Sequence, residues 1–341
     1  MRDNEGIAVE DAPACPLCGA DGRIPYRDLR DRYWDAPGTW SLRQCPACRH
    51  LWLDPRPRPE EIGKLYTAYY THAAPDGPPP TPLGARARRA VLARLGYAPL
   101  EGGDARFAWL LRLFPLLRES IEREFRSVRG PPRGRLLDVG CGDGAFLRSM
   151  RDLGWSVAGL EPDPRAAAVA RDRGLEVIER PIEPGSLPED AFDAVTMSHV
   201  VEHVIDPVRA LEACRQALRP GGVLAVVTPN ADGWGHRRYR DAWFHLDPPR
   251  HLHLFTSATL RTCAGRAGLR VFGLRTSATG AAVARHASRA IRVAGRFRFP
   301  DGRIFPTLGD RAFGWGEWVA TRVSSDAGEE LLLFATKGGP A

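Results

Sequence analysis

Four cysteines in two C-x2-C pairs, three closely spaced glycines behind an aspartate, and two clusters of histidine are the residues whose spacing points to chemistry. Cys15 and Cys18 stand in CPLCG, Cys45 and Cys48 in CPACRH, with 26 residues between the pairs. Each C-x2-C turn aims two thiolates at one point, and two such turns complete the tetrahedron that zinc prefers. With every position filled by protein, such a zinc would be structural. His50 is a weaker ligand candidate, and Arg49 replaces the glycine usual after the second pair. The other three cysteines, Cys141, Cys214 and Cys263, are scattered. An odd total argues against a secreted disulfide framework.

The run LLDVGCGDGAFL, from Leu136 to Leu147, reads as a buried strand, a glycine turn and the start of a helix. Gly140, Gly142 and Gly144 let backbone amides approach a ligand closely. Gly140, Gly142 and Ala145 also match the dinucleotide pattern G-x-G-x-x-G/A. Asp138 discriminates between the two ligands. Beside a pyrophosphate its charge would repel, whereas beside the ammonium of an amino-acid moiety, as in S-adenosylmethionine, it would attract. Glu161, in VAGLEPDP, ends the next strand and can accept both ribose hydroxyls.

His199 and His203 lie in MSHVVEH, and His245, His251 and His253 in the proline-broken WFHLDPPRHLHLF. Histidine titrates near neutrality and suits a general base acting on a hydroxyl. Both segments follow apolar strands, beyond whose carboxyl ends open α/β sheets bind ligands. His199, Glu202 and His203 also have metal-ligand chemistry. Capping by Glu202 and packing by His203 is the preferred reading, so the metal set is Cys15, Cys18, Cys45 and Cys48.

The elements that must position these groups follow from periodicity. Short apolar runs alternate with amphipathic stretches from Arg135 onward, the pattern of an α/β doubly wound sheet. Seven strands are expected: Arg135 to Val139, Ser156 to Leu160, Glu176 to Ile178, Ala191 to Met197, Gly222 to Thr228, Leu269 to Leu274 and Leu331 to Ala335. Helices should begin near Asp143, Pro164, Pro207 and Thr256. The expected organisation is a disordered N-terminus (1–10), a zinc-ribbon-like module (11–72), a Pro/Gly linker (73–84), a helical cap (85–132) and a catalytic domain (133–341) with an insertion (277–329). In the cap, Trp109, Leu110, Leu113, Phe114 and Leu117 recur at helical spacing. In the insertion, Arg285, Arg289, Arg292 and Arg296 form a stripe that could grip phosphate or anionic lipid, a solvated face being the blander alternative.

Of 341 residues, 43% are hydrophobic and 26% charged, enough for a sizeable core. The net charge is +7, yet only Lys64 and Lys337 are lysines. Residues 81–135 hold twelve arginines and five acids, an excess of seven that matches the whole-chain charge. No run approaches the ~20 apolar residues of a membrane span. The first residues lack the apolar core of a secretion signal, so a soluble cytoplasmic protein is expected.

LLDVGCGDG, GLEPDP, FDAVTMSHVVEHVIDP and LRPGGVLAVVTPN, in this order, resemble the class I S-adenosylmethionine-dependent methyltransferases over residues 133 to 277. The similarity is greatest to the branch with ubiquinone-biosynthesis-type O-methyltransferases and bacterial enzymes acting on sugars and natural products. It implies a Rossmann-like fold and methyl transfer from S-adenosylmethionine. Asp138, Gly140, Gly142 and Gly144 would surround the methionine moiety, and Glu161 would hold the ribose. Pro162, Ile182 and Glu183 would flank adenine, with Ser198 and His199 closing the site. The segment around His251 resembles an acceptor-site lid, which ranks His251 first as base, then His199, then His253. An N-terminal module like that of bacterial sugar C-methyltransferases, running from CPLCG through the PRP and LYTAYY segments, is expected to abut the acceptor side. The implied reaction is methylation of a hydroxyl on a small molecule or glycan precursor. An RNA methyltransferase using the zinc module and the arginines, a sugar C-methyltransferase, and a binding protein that keeps the cofactor fold without chemistry are the alternatives. The [DN]-P-P-[YFW] sequence typical of base-methylating enzymes is absent, and MSHV stands in its place.

Overall fold

The computed structural model describes residues 2–66, 81–97, 104–129, 134–298 and 305–338. Its strands are β1 (Arg2–Asn4), β2 (Ile7–Glu10), β3 (Arg23–Leu29), β4 (Trp40–Gln44), β5 (Leu51–Leu53), β6 (Arg56–Pro57), β7 (Arg135–Val139), β8 (Ser156–Leu160), β9 (Glu176–Ile178), β10 (Phe192–Ser198), β11 (Leu218–Pro229), β12 (His253–Leu254), β13 (Leu269–Ser277) and β14 (Glu330–Lys337). The helices are α1 (Pro82–Leu95), α2 (Asp104–Leu110), α3 (Pro115–Glu124), α4 (Ala145–Asp152), α5 (Pro164–Asp172), α6 (Pro207–Ala217), α7 (Trp234–Tyr239), α8 (Ser257–Arg266), α9 (Ala281–Ala294) and α10 (Leu308–Val323).

The central sheet is mixed and seven-stranded, in the order β13-β14-β11-β10-β7-β8-β9. All seven expected strands are present; β7 and β10 are buried on both faces and pair in parallel, as strands between helices require, whereas β9 and β13 at the sheet edges are partly exposed. The helices start where short polar residues can cap them. Asp163 accepts from the Arg165 amide before α5, and the Asp206 carboxylate accepts from the Val208 and Arg209 amides. Thr256 and Thr259 close a capping box on α8.

The chain divides into two compact units. The first comprises the described residues of Met1–Tyr70, His199–Glu212 and Val227–Ala335, the second those of Thr71–Ser198, Ala213–Val226 and Thr336–Ala341. This division cuts across the boundaries expected from sequence. Within the first unit, β12 completes a sheet in the order β12-β5-β4-β3, with His253 opposite Trp52 and Leu254 opposite Leu51. One apolar cluster joins Ile7, Val9, Leu29, Trp40, Leu42, Leu51 and Leu53 to Trp243, Leu246, Leu252 and Leu254. Burying such side chains stabilises by about 1.5–3 kcal/mol each, which ties the cysteine-bearing segment to the histidine-bearing one.

Three expectations need correction. Residues 2–10 are not disordered: β1 and β2 form a hairpin that adds to β6, because Ile7 and Val9 alternate inward. The Pro/Gly linker stops short of 84, since Thr81 caps α1 and Pro82 takes its first turn. The rest of that linker, 73–80, lies outside the described residues. In the cap, Trp109, Leu110, Leu113, Phe114 and Leu117 are exposed while Leu111, Pro115, Ile121 and Phe125 are buried. In the insertion, Arg296 falls beyond α9, which ends at Gly295. Arg285 and Arg289 pair with the buried Asp310, and Arg292 donates to the Arg238 carbonyl while lying over Tyr239. The stripe therefore clamps α9 to α10 and α7. Among the described residues no helix is long and apolar enough to cross a membrane.

Candidate functional site

In the second unit the glycine turn links β7 to α4. Gly140, Gly142 and Gly144 all have positive φ, and Gly144 could not carry a side chain, since its Cβ would lie 2.2 Å from Leu175. Asp138 is fully buried in β7, opposite Thr196 and Gly159 of the flanking strands. Its Oδ1 accepts from Thr196 Oγ1 at 2.8 Å and from the Arg126 guanidinium. Its Oδ2 is buried and has no hydrogen-bond partner among the described residues. A buried carboxylate oxygen left without a donor is costly unless a ligand completes it, so the cradle fits the ammonium of S-adenosylmethionine.

Glu161 is likewise buried and held in place, its Oε2 accepting from the Gly142 amide at 2.8 Å and its Oε1 from the Asp163 amide at 3.0 Å. Pro162 and Glu183 are exposed, and Ile182 and Ser198 are half-buried. The Glu183 amide donates to Ser186 Oγ at 3.1 Å, closing a turn.

Arg126 was not anticipated. It sits at positive φ after α3, lies over the Phe146 ring at 3.8 Å, and donates to Thr196 Oγ1 at 2.9 Å. Burial pushes it down to about 9. The only signal in sequence was an arginine 12 residues before Asp138, hidden in an arginine-rich stretch.

In the first unit the histidines gather on the segments after β10 and β11. His251 is buried, and its Nδ1 lies 2.7 Å from the His245 carbonyl, which can only accept. In the neutral ring, Nδ1 therefore carries the proton and Nε2 the lone pair. His203 is arranged the same way, Nδ1 donating to the Arg250 carbonyl at 3.0 Å, with the Tyr66 hydroxyl also 3.0 Å away. Burial, then His251, pushes His203 down to about 4, so it is neutral at pH 7. Ligand atoms of Glu202, His203 and His251 all lie within 4.8 Å of one another, a set that could hold a divalent cation.

His199 and His253 do not offer a base. His199, at positive φ, is held by Glu202 Oε1 at 3.1 Å on Nδ1 and Glu330 Oε1 at 3.1 Å on Nε2. Burial opposes its charge, but these two carboxylates outweigh it and raise the ring to about 9. With a carboxylate oxygen on each ring nitrogen, His199 has no lone pair turned outward to take a proton. His253 donates from Nε2 to the Ile205 carbonyl at 3.2 Å and accepts at Nδ1 from His50 Nε2 at 3.1 Å. Its ring is a fully engaged link between segments, because β12 carries it into the sheet.

Two further carboxylates bear on stability. Glu317 and Glu329 are fully buried, and burial followed by neighbouring glutamates raises both. These groups and His199 all have folded values above their unfolded ones, so each stabilises most below its unfolded pKa and loses that contribution as pH rises through the folded one. The melting temperature should therefore fall between pH 6.5 and 9, and Glu317→Gln should flatten the fall. A flat wild-type profile in calorimetry would contradict this reading.

The four cysteines converge, with Sγ separations of 3.6 Å for Cys15 and Cys48, 3.3 Å for Cys18 and Cys45, and 3.9 Å for Cys18 and Cys48. Tetrahedral zinc with bonds of about 2.3 Å implies sulfur separations of about 3.8 Å. The donor set thus fits a structural zinc. Arg49 adopts φ 67°, the left-handed turn that Gly19 makes freely in the first knuckle. His50 faces His253 instead of the cysteines.

A family model described as a methyltransferase domain matches residues 109–273. The ubiquinone biosynthesis O-methyltransferase of Xanthomonas axonopodis pv. citri is 38% identical over 118 residues, 32% of this chain and 49% of that relative. The enzyme of the same name from Methylocella silvestris is 32% identical over 184 residues, 44% of this chain and 71% of that relative. The chain spans about half the length of the Xanthomonas, Cereibacter sphaeroides and Caulobacter sp. relatives. A solved S-adenosylmethionine-dependent methyltransferase from Mesorhizobium loti, 21% identical, covers 60% of this chain and 91% of its own with a TM-score of 0.41. The sheet order, the aspartate-glycine turn and the Methylocella relative together establish that the chain belongs to the class I S-adenosylmethionine-dependent methyltransferases.

Proposed function

We propose that this protein transfers the methyl group of S-adenosylmethionine to a hydroxyl of a small molecule or glycan precursor. The observation that carries the reading is the buried His251 imidazole, whose Nδ1 lies 2.7 Å from the His245 carbonyl, so that in the neutral ring the lone pair is on Nε2. Asp138 would hold the ammonium of the bound cofactor and Glu161 its ribose, with Pro162, Ile182 and Glu183 beside adenine and Ser198 at the end of β10. When bound, the cofactor supplies an electrophilic methyl on a sulfonium. The protein's part is to orient the acceptor and to take a proton. A neutral hydroxyl is a poor nucleophile, and His251 Nε2 can accept its proton as the new bond forms. The O-methyltransferase names of the sequence relatives support oxygen as the methylated atom.

His251→Ala should lower the single-turnover rate by about 10²- to 10⁴-fold, the usual contribution of a general base. Screening hydroxyl-bearing sugars, nucleotide sugars and phenols for labelled methyl uptake supplies the acceptor. Full turnover in the variant would remove His251 from the mechanism.

The proximity of Glu202, His203 and His251 favours a second reading, in which a divalent cation on these side chains activates the hydroxyl. Activity lost in excess chelator and restored by magnesium or manganese would select that reading; activity indifferent to chelator would select the base. The RNA alternative draws little support, since Arg88, Arg94, Arg118 and Arg126 of the arginine-rich stretch pair with internal carboxylates. The four-cysteine cluster is read as a structural zinc site that shapes the first unit.

A further inference from the structure

The loop bearing His251 is anchored by a buried ion pair to the segment that bears the cysteines. Arg250, next to His251, is 1% exposed, and its guanidinium meets Asp31 in a bidentate pair at 2.7 and 2.8 Å. The same guanidinium reaches back to Asp247, Nη2 to Oδ1 at 2.5 Å and Nε to Oδ2 at 3.2 Å. Asp31 is itself built to receive it, because its Oδ1 accepts from the Tyr33 and Trp34 amides and its Oδ2 from the Ala36 amide. Burial would raise this carboxyl, yet the hydrogen bonds and charge of Arg250 outweigh it and hold Asp31 below the usual range.

Two histidines depend on this pair. The Asp247 carbonyl accepts from both the Arg250 and His251 amides, at 2.9 and 3.0 Å, so the turn that presents His251 is drawn around the residue that Arg250 grips. The Arg250 carbonyl is the acceptor that sets the His203 tautomer. Asp247 stands at φ 34°, a left-handed conformation that a non-glycine residue keeps only when its surroundings enforce it. A planar, forked cation between two carboxylates supplies such enforcement, since it satisfies both in one geometry.

We propose that Asp31 is a positioning residue of the acceptor site, acting through Arg250 to fix the turn and the tautomers of His251 and His203. The proposal rests on the reading of His251 as base, but its first test is independent of activity. The full chain, labelled with 15N-histidine, reports by NMR which ring nitrogen of each histidine carries the proton. In the wild type His251 should show protonated Nδ1 and bare Nε2. In Asp31→Asn, which keeps the shape and removes the charge, the two His251 nitrogens should move toward averaged shifts.

Arg250→Lys, which keeps the charge and loses the fork, should do the same, and the double variant should be no worse than either single one. Val9→Ala, a cavity in the same core away from the ion pair, should lower the melting temperature and leave the His251 signals unchanged. With an acceptor in hand, Asp31→Asn should reduce kcat about 10- to 100-fold while the KM for S-adenosylmethionine stays within about twofold. Unchanged His251 signals in Asp31→Asn, or fully additive effects in the double variant, would overturn the proposal. Altered signals with normal turnover in His251→Ala would instead leave the positioning intact and sink the base.

Discussion

Asp138→Asn is expected to weaken S-adenosylmethionine binding by about two orders of magnitude in calorimetry. The carboxylate is fully buried in β7, and one of its oxygens has no hydrogen-bond partner among the described residues. Removing one member of a desolvated, hydrogen-bonded charge pair costs about 2–5 kcal/mol, and each 1.4 kcal/mol is tenfold in affinity. The substitution keeps the shape of the side chain, so the packing of Thr196 and Gly159 around it should survive, while the loss of the anion beside Arg126 should lower the melting temperature. Arg126 already occupies the other oxygen, which makes the prediction sharper: asparagine would leave that guanidinium without its anion, adding repulsion toward the incoming ammonium. An unchanged dissociation constant would mean that the aspartate serves the fold alone and that the cofactor is held elsewhere.

Cys45→Ser should remove zinc and destabilise the first unit. Structural zinc sites in small modules contribute about 10–16 kcal/mol of apparent binding free energy, as large as the whole stability of an ordinary domain. The cysteine-bearing segment shares its core with Trp243, Leu246, Leu252 and Leu254, so the loss should spread to the histidine-bearing loop. Even a few kcal/mol would lower the melting temperature by about 10 °C or more. Metal analysis of the wild type should return one zinc per chain and the variant none. A protein that melts normally after the substitution, or that contains no zinc as purified, would reduce the four thiols to a coincidence of packing.

Much of the second unit and its sheet was readable from the chain itself. The strands from Arg135 to Lys337 carry continuous apolar runs, and the caps Asp163, Asp206 and Thr256 announce the helices that follow them. Asp138, the glycine turn and Glu161 are contiguous or nearly so, and their geometry is dictated by a strand, a turn and a strand end. Arg126 escaped because its importance comes from meeting Asp138 in space, which a lone arginine among twelve does not reveal.

The histidines divide on the same line. That they cluster after two strand ends is written in their order along the chain. Which of them can act as a base depends on what each ring nitrogen touches. His199 is held between two carboxylates because Glu330, 131 residues away, closes on the ring nitrogen that Glu202 leaves open. His253 became a structural link because β12 pairs with β5. His251 directs Nδ1 inward because a carbonyl six residues earlier accepts its hydrogen bond.

Local order along the chain was thus enough for the strands, the helix starts, the cysteine pairs and the aspartate-glycine turn, since each depends on residues close in sequence. The division into units, the union of the cysteine-bearing and histidine-bearing segments, and the partners of the histidines were settled by folding. They arise from contacts between residues dozens to hundreds of positions apart, where burial and charge, not periodicity, decide the outcome.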